Sequence, residues 1–145
     1  MADGFDFSEL MDFEKDLLSL AQDFKKGKHA KVFLRKSGTK LKNATVKDAK
    51  AKVKKDTGNL FKGIKRGKVY NYKVDGSMAV RVYGGSPANH AHLINNGHRI
   101  VDKNGKEHGF KKGEHFFEGG AKAYESQYEK DTLDFLDDML DNHGL

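Results

Sequence analysis

The chain has 145 residues, of which 33% are charged, with a formal net charge of +6 and a mean hydropathy of -0.78; that length suits a single domain, since one core serves roughly 100–200 residues. Cysteine is absent, which excludes disulfides, thiolate nucleophiles and every zinc site that needs sulfur. No apolar run approaches the roughly 18–20 residues of a membrane span, and the opening Met1-Ala2-Asp3-Gly4-Phe5-Asp6 lacks the basic and apolar regions of a signal peptide, so the expected setting is a cytoplasm and not a membrane.

After Asp6 and Ser8, both suited to a helix N-cap, Leu10, Phe13, Leu17, Leu20 and Phe24 recur at three- and four-residue spacing and line one face of a helix that Gly27 should stop. Asp6, Glu9 and Asp12 near its start and Lys25-Lys26 at its end suit the helix dipole. A second helix is expected from about His29 to Lys55, its narrow stripe of Phe33, Leu34, Leu41, Ala44, Ala49 and Val53 set among lysines. Ser37-Gly38 should bend or break it, because glycine costs about 1 kcal/mol relative to alanine inside a helix. Asp56-Thr57-Gly58-Asn59 reads as a turn, and Leu60, Phe61 and Ile64 as one helical turn tucking apolar groups inward.

Beyond Gly67 the period changes. Val69–Val74, a turn at Asp75-Gly76-Ser77 and Met78–Tyr83 predict a β-hairpin. Gly84-Gly85-Ser86-Pro87 is a loop. Ala91, Leu93 and Ile94 fit a strand or a short helix equally. Gly97–Val101, with a turn at Asp102-Lys103-Asn104-Gly105, suggests a second hairpin or a long loop ending near Phe110. Phe117, Ala121, Tyr124, Tyr128, Thr132, Phe135 and Met139 then follow a helical stripe up to Asn142. The predicted fold class is α+β: an antiparallel sheet of three to five strands packed against two N-terminal helices and a long C-terminal helix. The expected single domain spans 1–145, with a helical part at 1–56, sheet and loops at 57–116 and the last helix at 117–143.

Charge is unevenly placed. Residues 1–23 carry one Lys against seven acids, residues 24–68 seventeen Lys/Arg against two acids, residues 69–118 seven against five, and residues 119–145 two against seven. Both ends are acidic and the middle is strongly basic, at +15.

Several groupings invite a chemical reading. His90 and His92 would share one face of an extended segment, with His98 and His115 as further ligands. No acid lies between Pro87 and Arg99 and no H-E-x-x-H pattern occurs, so these read as loop or interface histidines, and no metal, cofactor or catalytic residue is expected. The basic stretch, including Lys47, Lys50 and Lys54, has enough charge to neutralise several phosphates. It lacks the arginine and aromatic interleaving of base readout, which favours a solvated face or one docking onto an acidic neighbour. Asp134, Asp137, Asp138 and Asp141 form one acidic ridge on the last helix, a soluble surface or an acidic contact face. Gly84-Gly85 and Gly119-Gly120 fit no phosphate-loop pattern and read as turns or hinges.

Three stretches together resemble a known family. Thr57-Gly58-Asn59-Leu60-Phe61-Lys62-Gly63-Ile64 is similar to the T-G-x-L-x-x-S-I element of the HK-type tailed-phage tail-component family, called gene-product-ten-like. Ala91-His92-Leu93-Ile94-Asn95-Asn96-Gly97-His98 resembles its Y-A-x-x-V-E-x-G-T segment, and His115-Phe116-Phe117-Glu118-Gly119-Gly120-Ala121 its R-P-F-L-x-P-A run. Gly63 stands where the family has serine, Asn96 where it has an acid, and the prolines around Phe117 are missing. The matched Gly58, Leu60, Ile64, Gly97, Phe116 and Phe117 suit packing roles.

The resemblance implies a structural virion or prophage protein of the head–tail junction or tail end: a tail-completion, terminator or neck protein, not an enzyme, acting as a hexameric ring. Its implied partners are further copies of itself, the tail tube and the neck or connector proteins, with sheath as another candidate and DNA only as passing cargo. Lys47, Lys50, Lys54, His92, His98, Asp134 and Asp138 are the candidate subunit or partner contacts, and the loops 84–89 and 102–112 the candidate contact loops. The rival reading is a DNA-binding protein or metal-dependent nuclease using the basic helix with His90, His92 and His98.

Overall fold

The computed structural model describes residues 7–54 and 57–145. The expected N-cap Asp6, the end of the second helix at Lys55 and the turn residue Asp56 lie outside them. The described residues form α1 (Phe7–Lys26), α2 (Lys28–Lys52), α3 (Asn59–Gly63), β1 (Ile64–Arg66), β2 (Tyr70–Asn71), β3 (Met78–Ala79), β4 (Val82–Gly84), α4 (Ala91–Asn96), β5 (Gly97–Val101), β6 (Glu107–Lys112) and α5 (Phe116–Asn142). The fold class is α+β.

Helices α2 and α5 pack on each other more extensively than any other pair of elements. Phe33 meets Phe135, Lys40 meets Asp131 and Thr45 meets Gly120, so the two run antiparallel. Closest approach falls at Gly120, where a β-carbon would lie 2.5 Å from Thr45 Cα. Helix α2 continues without interruption through Ser37-Gly38, so the expected break does not occur. Gly38 serves packing instead: a β-carbon there would sit 3.0 Å from Arg66 Cδ and 3.2 Å from Val80 Cγ1, so its bareness admits the β1–β4 hairpin to the helix.

That hairpin comprises two ladders. Ile64 to Arg66 pair with Gly84 to Val82, and Tyr70 and Asn71 pair with Ala79 and Met78. Between them Gly67–Val69 stand opposite Val80-Arg81, a one-residue bulge that splits the run. Asp75 Oδ1 closes the turn by accepting the Ser77 amide (2.9 Å) and hydroxyl (2.6 Å). The second hairpin, β5–β6, pairs Gly97 with Lys112 and Val101 with Glu107, and Asp102 Oδ1 accepts the Asn104 and Lys106 amides across its turn.

The expected sheet of three to five strands is therefore corrected: among the described residues, six short strands pair two by two. The residues 85–96, including the short helix α4, separate the hairpins, and Tyr70, Tyr72 and Val74 on the first one's outer half are exposed, so no second layer rewards a wider sheet. The ambiguous Ala91–Ile94 segment is helix α4.

Ala49, Leu60, Ile64, Ala88, Ala91 and Phe116 form the buried core, flanked by Val46, Val53, Phe61, Val82, Ile94 and Phe117. A second cluster of rings joins the helices, with Phe33 stacked on Phe135 at 4.6 Å and Phe24 edge-on to Phe135 at 6.2 Å. Glycine fixes two junctions here. Gly27, at φ 73°, links α1 to α2 as a single residue, and Gly97, at φ 87°, turns α4 into β5 where a β-carbon would meet Lys111 O at 2.6 Å.

Candidate functional site

Among the described residues the distinctive features are surfaces. The first is α1. The carboxylate of Asp23 anchors its C-terminal half, 2.9 Å from His143 Nε2 and 3.5 Å from His29 Nε2, and Ser19 Oγ lies 2.9 Å from His143 Nδ1. The His143 hydrogen bond holds the Asp23 carboxyl below the usual carboxylate range, with His29 and Lys26 reinforcing it against partial burial. Toward its N-terminus the helix carries its apolar stripe into the open: Leu10, Met11, Phe13, Leu17 and Leu18 are 42, 67, 53, 43 and 58% exposed. An exposed apolar patch of this kind marks an interaction surface.

The second feature is a groove of about 670 Å³ between α2, α5 and the first hairpin, lined by Leu34, Leu41, Met78, Val80, Tyr124 and Tyr128 among others. Lys122 and Glu125 stand in its α5 wall, and Arg35, Lys36, Lys40 and Arg66 line a separate depression. Below the groove, Asp131 accepts Lys40 Nζ at 2.7 Å, Gln127 Nε2 at 2.8 Å and Tyr124 Oη at 3.1 Å. Lys40 and Gln127 hold its carboxyl below the usual range, and Asp131 in turn raises the Lys40 ammonium.

The third is the start of α5. His115, the residue before it, adopts φ 50° and supplies no side-chain cap. Asn95 on α4 takes over: its Oδ1 accepts the Phe117 amide at 2.9 Å while its Nδ2 donates to Asn96 Oδ1 at 2.8 Å and Glu118 Oε1 at 3.2 Å. Its own carbonyl accepts the His115 amide.

The residues singled out in the sequence divide into two groups. Gly58, Leu60, Ile64 and Phe116 are buried, Gly97 and Phe117 half-buried; Gly58 starts α3 at φ 82° and Phe116 packs 4.7 Å from the Phe117 ring. Lys47, Lys50, Lys54, His92, Asp134 and Asp138 are exposed. Lys50 Nζ lies over the Phe61 ring at 5.9 Å, and His92 Nδ1 is 3.1 Å from the Asn89 carbonyl. His98 is half-buried beside Lys54 and Lys112, with its Nδ1 buried and lacking a hydrogen-bond partner. Asp134 and Asp138 line a depression shared with Lys28, His29 and Lys36, so part of the acidic ridge faces basic groups of the same chain. The loop 84–89 is less free than expected, because Ala88 is buried in the core and the Gly85 amide donates to Gly63 O. The hairpin around Asp102–Lys112 is exposed along all of β6.

Among the described residues no group of three or more His, Asp or Glu is placed to hold a metal ion, and no helix is long and apolar enough to cross a membrane. Sequence reasoning missed Asn95, Lys40 and Asp131. A buried asparagine has no periodic signature, and Lys40 was indistinguishable from its solvated neighbours.

The described residues form a helix-and-hairpin frame with exposed apolar and charged surfaces. The chain belongs to the family described as "Bacteriophage HK97-gp10, putative tail-component", whose profile matches residues 12–97, more than half of its length. The family is one of phage tail components, and the match spans α1, α2, the first hairpin and α4. Neither the curated proteins nor the solved structures contain a match to this chain.

Proposed function

We propose that this protein is a non-catalytic subunit of the tail end or head–tail junction, a tail-completion, terminator or neck protein of a phage or prophage. It acts as a ring, six-fold by resemblance, that joins or caps the tail tube, with neighbouring copies, tube and connector proteins as its partners. It is assembled in the host cytoplasm and resides in the virion. Beyond family membership, the observation that carries this reading is the bare apolar stripe of α1, a surface that costs solubility unless something covers it. The charge pattern supports it: acidic ends and a basic middle give each copy two unlike patches, which a ring of head-to-tail contacts requires.

Electron micrographs of purified protein and labelling of intact particles test the proposal. Rings of fixed stoichiometry, or label confined to the tail end or neck, are expected. Particles that lack the protein would overturn it in favour of a transient assembly factor, and salt-sensitive DNA retention or metal-dependent nicking in favour of a DNA-binding protein or nuclease.

A further inference from the structure

The bare stripe on α1 and the apolar groove are complementary, and the chain's geometry keeps them apart within one copy. Along α5, Tyr128 lies at the groove, Phe135 under Phe24 of α1, and His143 beside Ser19 and Asp23; a β-carbon at Gly144 would come 3.1 Å from Asp16 Oδ2. Followed from Phe24 back to Asp16, α1 therefore runs toward the C-terminal end of α5. Its N-terminal half points past that end, away from the groove, which starts roughly 20 Å back along α5 at 1.5 Å per residue. While α1 keeps these anchors, its own groove is out of reach.

On the oligomeric reading above, we propose that the N-terminal half of α1 docks into the groove of a neighbouring copy. Leu10, Phe13 and Leu17, at i, i+3 and i+7, are the anchors, the spacing by which an amphipathic helix fills an apolar trough. The charged lining of the groove itself, Lys122 and Glu125, is balanced, so the apolar anchors carry the contact. Because helix and groove are different patches, the contact is heterologous. Each copy offers a helix forward and a groove behind, which closes into a ring or continues as a filament.

The absence of cysteine makes the test direct. Two single-cysteine variants, F13C on α1 and A121C on the groove wall, are mixed and treated with a short bismaleimide. A mixed F13C–A121C product several-fold above either homodimer is expected. The double variant Phe13→Asp with Leu17→Asp should sediment as monomer while keeping its helical circular dichroism, since both positions are exposed. Rings that survive the double substitution without the mixed product would overturn this docking and leave the ring intact as a conclusion. A dominant F13C–F13C product, or a cross-link to another tail protein instead, would also overturn it. A wild-type protein that is monomeric both in solution and in tails would sink the docking and the ring together.

Discussion

The side-chain oxygen of Asn95 accepts the backbone amide of Phe117 at 2.9 Å, so the first turn of the longest helix is capped from a different element. The local residue, His115, sits in the left-handed region and offers no cap, which leaves the α5 amides dependent on this one buried amide group, 4% exposed.

Asn95→Ala removes that acceptor and leaves the Phe117 amide unsatisfied beside the core. Losing a cap costs about 0.5–2 kcal/mol and stranding a buried donor about 1–3 kcal/mol; a loss of about 2 kcal/mol is expected. Chemical denaturation followed by circular dichroism measures it. A variant as stable as the parent would show that water caps α5 equally well.

Neighbouring glycines should respond unequally. A β-carbon at Gly120 would press on Thr45 backbone 2.5 Å away, whereas one at Gly119 meets the flexible ends of Asp48 and Lys52. Gly120→Ala is expected to destabilise by about 1–3 kcal/mol through overpacking, in spite of the helix propensity it gains. Gly119→Ala should cost less, because what it displaces is the movable ends of the partly buried Asp48–Lys52 ion pair and not backbone. Equal melting temperatures for the two variants would contradict the packing described for the α2–α5 crossing.

Acid should loosen the contacts of α2 and α1 with α5 and its C-terminal end. Asp131 and Asp23 both have carboxyls held below their ordinary range, by Lys40 and His143 respectively. The stability they add is present above the unfolded carboxylate value, about 3.9, and is lost as pH falls through the lower folded values. Lys40 has the opposite sign: its raised value adds stability that persists below the unfolded lysine range and disappears as pH rises through the folded one. Asp131→Asn should flatten the acid limb of a stability–pH curve. An unchanged limb would mean that the Lys40 pair has no energetic weight.

Charge reversal of Lys47, Lys50 and Lys54 to Glu should weaken assembly without unfolding the chain, since all three side chains are exposed. Sedimentation at low and high salt is the measurement, because screening shortens such attractions to about 8–10 Å at physiological ionic strength. Identical sedimentation of variant and parent would remove these lysines from the contact.

Where a side chain faces one environment along a regular element, the sequence was informative. The 3.6-residue stripes placed α1, α2 and α5, and the Asp75-Gly76 turn placed the first hairpin, while the Asn104-Gly105 turn left a hairpin and a long loop both open. Sheet width was not legible, since it depends on whether another strand or layer covers Tyr70 and Tyr72, and pattern along one strand says nothing of that. Gly38 illustrates the same limit: intrinsic propensity argues for a break, and only the approach of Arg66 and Val80 explains why glycine stands inside a continuous helix. The candidate surfaces were half legible. The apolar residues of α1 were visible as a stripe, but a stripe that meets its own core and one that meets solvent look alike in sequence. The basic stretch concealed Lys40, whose partner Asp131 is distant in the chain and near only after α2 and α5 pair.

The junction at Gly27 bears on how such a protein would respond to load. Its amide donates back to Asp23 and Phe24 while its carbonyl accepts the Lys31 amide, and Met78 lies against it, where a β-carbon would be 2.7 Å from Met78 Cε. A single hydrogen-bonded residue wedged by a methionine is a stiff elbow with no slack to take up. With the tip of α1 docked as proposed, pulling or tilting it would therefore turn the α2–α5 pair as well, so that strain at the arm would reach the body as a rotation and not be dissipated in a tether.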